Sequence, residues 1–211
     1  MIQSIERITY ARSTLPESWI LPGGDETRRC PILFSVFVIR TEERTLLVDA
    51  GCDTMPGFEM ENFIGPVEAL RRAGYRTEDI TDVILTHAHH DHIEALHHFA
   101  GARVWLHREE LACAMRHDSL RGIERLELID VDTELEEGLR IVHTGGHTSG
   151  SCVVEASYEG KWYVVCGDEC YSLRNVRERI PTPSTQSPER SQAFIDRYAN
   201  GEYVCLLAHD E

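Results

Sequence analysis

With 211 residues, 42% hydrophobic and 27% charged, the chain has the size and composition of one globular domain, 1–211, and no apolar run approaches the roughly 18 residues a membrane-spanning helix needs. A formal net charge of -15 sets the surface against phosphate backbones, whose binding relies on Lys and Arg displacing counterions, and so excludes nucleic acid as a partner. Seven cysteines, odd in number and never spaced as Cys-x-x-Cys, point to reduced core residues rather than a disulfide framework or a structural zinc knuckle.

The chain opens on Met1-Ile2-Gln3-Ser4-Ile5-Glu6-Arg7, which alternates like a strand and lacks the cationic start and apolar stretch of a secretory signal; the expected address is the cytoplasm. Leu15 to Pro22 is apolar but broken by proline. Ile32 to Ile39 reads as a strand, Thr41-Glu42-Glu43-Arg44 as a hairpin turn, and Leu46 to Asp49 as the returning strand. Met55-Pro56-Gly57-Phe58-Glu59-Met60 is again apolar and broken. A helix is predicted from Pro66 to Ala73, stopped by Gly74, then a strand at Val83-Ile84-Leu85.

Helix-like stretches then run over Asp91 to Phe99 and Arg108 to Arg116, on either side of a strand at Arg103 to Leu106. Strands are predicted at Leu139 to Val142, Cys152 to Ala156, Trp162 to Cys166 and Tyr203 to Leu207, with a last helix from Pro188 to Tyr198. Two groups of strands with helices interspersed suit a layered α/β arrangement.

The segment richest in chemistry is Thr86-His87-Ala88-His89-His90-Asp91-His92. A strand that ends there delivers His87 and His89 from alternate positions, so both rings can point to one side. Asp91 and His92 fall on the turn into the following helix and can face the same space. Four nitrogen and carboxylate donors in six residues could hold two divalent ions; with no thiolate among them, zinc, iron, manganese and cobalt all remain open.

His-x-His-x-Asp-His after a strand resembles the signature of the metallo-β-lactamase superfamily, and the resemblance extends over nearly the whole chain. Leu47-Val48-Asp49-Ala50-Gly51 is similar to its Asp-x-Gly strand end, Thr144 to Gly150 to its Gly-His-Thr motif, Cys166-Gly167-Asp168 to its Gly-Asp strand end, and Ala208-His209-Asp210 to its closing histidine. The resemblance implies an αββα four-layer sandwich. It assigns His87, His89 and His147 to a first metal and Asp91, His92 and His209 to a second, with Asp168 spanning the pair and Asp49 organising the metal loop from behind. Two divalent ions per chain are implied, zinc foremost, with iron, manganese or cobalt as alternatives. His90, His97, His98, His107, His117 and His143 match no ligand position.

Two ions that share a carboxylate can share a water and lower its pKa from about 16 towards neutrality, which would give a bridging hydroxide as nucleophile. The implied reaction is hydrolysis of a small ester-like substrate, with Asp91 as proton shuttle. Within the superfamily the chain looks most like the N-acyl-homoserine lactonases, which carry a tyrosine three residues after the shared aspartate; Tyr171 stands there in Asp168-Glu169-Cys170-Tyr171. Ala73-Gly74-Tyr75, Glu78-Asp79-Ile80 and Trp105 to Glu110 resemble the same branch. Trp19 and Phe58, in the two broken apolar segments, are expected to wall the substrate pocket. The expected partner is a small molecule, with no membrane; lactonases of this kind are often homodimers. The chain lacks the lactonases' Pro-Gly-His-x-Pro-Gly-His prolines and has only Cys52 to Arg76 between the Asp-x-Gly strand and the metal strand. The alternatives are a thioester hydrolase of the hydroxyacylglutathione hydrolase type, a mononuclear iron persulfide dioxygenase, and a non-catalytic member of the fold.

Overall fold

The computed structural model describes residues 1–116 and 118–210; His117, one of the histidines without a predicted role, lies outside them. Two sheets pack face to face. The first runs in the order β1 (Ile2–Pro16), β2 (Arg29–Thr41), β3 (Thr45–Val48), β4 (Asp82–Ile84), β5 (Arg103–His107), β6 (Leu126–Ile129). The second runs β11 (Tyr203–Leu206), β10 (Lys161–Val165), β9 (Cys152–Tyr158), β8 (Leu139–His143), β7 (Thr133–Glu136). β1, β2 and β3 are antiparallel neighbours, while β3 to β6 run parallel. Parallel pairing needs crossovers, which α1 (Pro66–Arg72), α2 (His90–Ile93) and α3 (Leu111–Arg116) provide in part.

The two-residue period of the strands sorts their side chains between layers. Phe37, Ile39, Leu46, Val48 and Ile84 face Leu139, Ile141, Cys152, Val154 and Val165 between the sheets. Their neighbours Val36, Val38, Leu47, Val83 and Leu85 point the other way, into a core with Leu70, Ile93, Leu96 and Phe99 from the helical side. Val142, Val153 and Val164 pack outward against Phe194, Ile195 and Tyr198 of α5 (Pro188–Tyr198). The result is the expected αββα sandwich. Because strands in the middle of the first sheet are covered on both faces, they read as continuous apolar runs rather than alternating ones.

Five elements differ from the sequence expectation. β1 continues to Pro16, so Leu15 and Pro16 belong to a long edge strand, and the broken segment begins at Glu17. β6 and β7 end their sheets, and their acidic, half-exposed residues are those of edge strands, which carry charge in place of a second apolar neighbour. The helix expected from Asp91 to Phe99 is a single α-turn followed by 3-10 helix from Glu94 to Phe99. α4 (Leu173–Glu178) is six residues long, started by a Ser172 side chain that accepts from the Arg174 N–H and an Asn175 side chain that accepts from the Ser172 N–H. Among the described residues, no helix is long and apolar enough to cross a membrane.

Candidate metal centre

The predicted ligands, and Asp49 behind them, all leave from segments that follow strand ends: Asp49 after β3, His87 and His89 after β4, Asp91 and His92 on α2, His147 after β8, Asp168 after β10 and His209 after β11. β4 itself stops at Ile84, three residues before His87, so the two histidines sit on an extended loop rather than on the strand. That loop is pinned where it leaves the sheet. The Asp49 carboxylate accepts from the Thr86 N–H at 2.7 Å and from the Thr86 hydroxyl at 2.9 to 3.0 Å. Gly167 precedes Asp168 with φ of +51°, and a Cβ there would stand 2.8 Å from Thr86 Oγ1; both facts favour glycine.

All seven predicted ligands converge. His87, His89, His147 and Asp168 form one group and Asp91, His92 and His209 another, the donor atoms of each group lying within 4.8 Å of one another. Asp168 stands between the two groups. Its Oδ2 is 3.7 Å from His87 Nε2 and 3.5 Å from His147 Nε2, while its Oδ1 is 2.9 Å from His92 Nε2 and 3.0 Å from His209 Nε2. His89 faces the centre with Nδ1, 2.9 Å from His147 Nε2. Asp91 Oδ2 lies 3.8 and 3.9 Å from His92 and His209 Nε2.

The far nitrogens of four of these rings are occupied. His92 Nδ1 meets Asp49 Oδ2 at 2.8 Å, His147 Nδ1 meets the Ser184 carbonyl at 2.6 Å, and His209 Nδ1 meets the Leu33 carbonyl at 2.8 Å. His87 Nδ1 is 3.1 Å from Thr86 Oγ1, whose own proton is directed to Asp49. A ring that donates through Nδ1 turns an Nε2 lone pair inward, the tautomer a metal ligand needs. His87 Nε2 is buried without a hydrogen-bond partner, and His92 Nε2 approaches Asp168 in a geometry that makes no hydrogen bond. Such buried orphans are costly, and a divalent cation in each group would satisfy them. Nitrogen and carboxylate donors in this number suit zinc or a similar ion, so the residues fit the group.

Charge in the centre is divided. Burial, reinforced by His92 nearby, keeps His87 well below the ordinary imidazole range. Burial with His147 beside it lowers His89. Burial would lower His92 as well, but the carboxylates of Asp168, Asp49 and Asp91 outweigh it and hold His92 well above the usual value; against the same effect of burial, Asp168 and Asp91 raise His209. Burial would raise Asp168, yet His92, His209 and His87 together hold it well below the usual carboxylate range. The site thus keeps an anionic carboxylate in its middle.

One side of the centre opens into a cavity of about 620 Å³, onto which His89, Asp91, His147, Asp168 and His209 all face. Its walls include Trp19, Ile32, Phe34, Phe58 and Tyr171. Phe58 packs on Phe34 at 5.9 Å between ring centroids, and Phe34 lies edge-on to His209 at 5.1 Å. Tyr171 lies 5.3 Å from the His209 ring and 6.2 Å from His147. Burial, with Asp168 close by, raises the Tyr171 phenol well above its ordinary value, so it stays protonated.

Sequence reasoning missed the residues behind the predicted ligands. Tyr10 donates to the Asp91 carbonyl at 3.1 Å. The buried Glu110 accepts from the N–H of Ala88, between His87 and His89, and from that of Gly150 at 3.0 Å. Glu169 meets the loop of His147. Nothing local marks the Ser184 carbonyl. His97 and His98, without a predicted role, both face Asp53, at 3.4 and 2.7 Å.

The profile of the Metallo-beta-lactamase superfamily matches residues 35–209. The chain is 26% identical to the N-acyl homoserine lactonase AiiB of Agrobacterium fabrum (strain C58 / ATCC 33970), over 87% of this chain and 82% of that one. It is also 26% identical to an N-acyl homoserine lactonase of Bacillus cereus, over 69% and 67%. Among solved structures, an N-acyl homoserine lactone hydrolase with the product N-hexanoyl-L-homoserine at its catalytic metal centre superposes with a TM-score of 0.84 at 20% identity, covering 100% of this chain and 94% of the other. AidC, a dizinc quorum-quenching lactonase, superposes with a TM-score of 0.79 at 17% identity, covering 100% and 89%.

Proposed function

The chain belongs to the metallo-beta-lactamase superfamily, and from that membership we propose that it is a metal-dependent lactonase, acting as one domain over 1–211, whose substrates are N-acyl homoserine lactones. The observation that carries this reading is the Asp168 carboxylate, which turns one oxygen to each of two ligand groups beneath an apolar-walled cavity. The relatives named N-acyl homoserine lactonase support the substrate class.

His87, His89 and His147 with Asp168 would hold one ion, and Asp91, His92 and His209 with Asp168 a second; zinc fits both. A pair of divalent ions would supply Lewis acidity for an ester carbonyl and a water of lowered pKa as nucleophile.

The remaining work falls to this chain's own side chains. Tyr171, protonated and facing the cavity, donates its hydroxyl hydrogen bond to the lactone carbonyl oxygen, where negative charge grows as the carbonyl carbon becomes tetrahedral. Asp91 has its backbone anchored by Tyr10 and its carboxylate at the cavity floor. It takes up the proton of the attacking water and returns it to the ring oxygen as the carbon–oxygen bond breaks. Water is consumed and one hydroxy acid leaves. Trp19, Phe34 and Phe58 receive the acyl chain and shed water from it.

The test is a pH-stat assay of the zinc-loaded protein, following acid release from N-acyl homoserine lactones, simple γ-lactones, thioesters and phosphodiesters. Turnover of the acyl homoserine lactones above all others is the expected result. Preference for thioesters, or oxygen consumption with persulfides by a protein holding one iron, would replace this reading with one of its rivals.

A further inference from the structure

Glu169 sits in the same tight turn as Asp168, Gly167–Glu169, and is fully buried. Asp168 turns towards the histidines; Glu169 turns the opposite way, into the loop that carries His147. Its Oε1 accepts from the backbone N–H of Gly146 at 2.9 Å and of His147 at 3.0 Å. The hydroxyls of Thr144 and Ser151 reach the same oxygen at 2.7 and 2.5 Å, and Ser191 reaches Oε2 at 3.4 Å. A carboxylate taken out of water is held there by neutral N–H and O–H donors converging from both ends of one loop.

That loop has reason to need it. Thr144-Gly145-Gly146-His147-Thr148-Ser149-Gly150 carries three glycines in seven residues, and glycine loses more conformational freedom than any other residue on being fixed. Gly146 has no room for a side chain, since a Cβ there would lie 2.5 Å from Ser191 Oγ and 2.9 Å from Ser191 N. The loop therefore cannot be stiffened by bulk at the residue before His147, and the fold fixes it through an acceptor instead. The Ser184 carbonyl then sets the ring through His147 Nδ1, while Thr185 Oγ1 donates to the Gly146 carbonyl at 2.7 Å.

We propose that Glu169 is a positioning residue for His147: its buried carboxylate fixes the backbone of the glycine-rich loop so that the imidazole stands in the first ligand group before any ion binds. The proposal rests on the metal-dependent reading of the site. It separates the two groups, because Glu169 meets the loop of His147, whereas Asp91, His92 and His209 are held by Tyr10, Asp49 and Leu33.

The experiment compares wild type with Glu169→Ala, Glu169→Asp and Glu169→Gln. Two-step zinc affinities are measured by chelator competition, and amide hydrogen exchange at Gly146 and His147 is followed in ion-free protein. Loss of the acceptor in Glu169→Ala is expected to weaken one of the two binding steps about 10- to 100-fold and leave the other unchanged. Exchange at both amides accelerates in the same variant. Glu169→Asp, which keeps the charge but draws it back by one methylene, shifts both readouts in the same direction and decides the matter if the alanine variant does not fold. Glu169→Gln keeps an acceptor oxygen in place and restores both. Equal weakening of the two steps, or unchanged exchange in a folded Glu169→Ala or Glu169→Asp protein, overturns the proposal. Wild-type protein that takes up no ion at all overturns the metallohydrolase reading instead, and the exchange data on ion-free protein then still decide whether Glu169 fixes the loop.

Discussion

Asp49 Oδ2 lies 2.8 Å from His92 Nδ1, while Asp49 Oδ1 accepts from the backbone N–H of Thr86 at 2.7 Å. One carboxylate thus fixes the ring of a proposed ligand in the second group and the start of the loop bearing two proposed ligands of the first. Asp49 holds this post at a φ of +62°, in the left-handed region that asparagine and aspartate tolerate better than other side chains. Asp49→Asn therefore keeps the backbone and removes the charge behind His92. It is expected to weaken the second-group ion about 10- to 100-fold, measured by zinc competition with a chelator. Asp49→Ala also strands the buried Thr86 N–H, and should lower folding stability by about 1 to 3 kcal/mol in denaturant titrations.

Tyr171→Phe removes one hydroxyl and leaves the ring that packs beside His147 and His209. If that hydroxyl donates to the developing oxyanion, kcat on an acyl homoserine lactone falls about 100-fold, with zinc content and thermal midpoint unchanged. An unaltered kcat would show that the tyrosine serves packing alone.

Phe58 is half-buried against Phe34, whereas Trp19 is 55% exposed at the cavity wall. Truncating Phe58 to alanine is expected to raise KM for a long-chain acyl homoserine lactone about tenfold, equivalent to about 1.4 kcal/mol of apolar contact. Trp19→Ala should act in the same direction and more weakly. KM for a short-chain substrate should hardly move in either variant, and steady-state kinetics on a chain-length series gives the comparison.

Ion uptake should release protons. In the ion-free protein the carboxylates around His92 and His209 raise both imidazoles, so at the ordinary histidine midpoint of about pH 6.5 both are predominantly protonated. A metal requires them neutral, hence binding near that pH expels protons and zinc affinity falls as pH is lowered through the raised values. His87 and His89 are lowered and contribute none there. Calorimetry in buffers of differing ionisation enthalpy counts the protons; proton uptake, or none, would contradict the assignment.

What could be read from the sequence follows the range of the forces involved. The converging histidines and aspartates were legible because His87 to His92 lie close together and the other motifs sit at strand ends, where a short run of glycine and a charged residue interrupts an apolar segment. Central strands were legible through their unbroken apolar runs. β6 and β7 were not, since each has one strand neighbour and replaces apolar residues with Glu127, Glu134 and Glu136. Glu110 and Glu169 carry no mark of their roles because Ala88, Gly146, Gly150 and His147, 22 to 40 positions away, meet them through backbone N–H groups. Any sequence supplies those, and only the fold decides which of them meet a carboxylate.

Of the three tryptophans, Trp19 lines the cavity, while Trp105 donates its indole N–H to Asp82 and Trp162 lies on β10 beneath Arg140. The molecule thereby contains a native optical reporter at the mouth of its own site. Occupancy by a non-hydrolysable amide analogue can be followed through quenching or spectral shift of one indole, against a steady background from the other two, without attaching a dye.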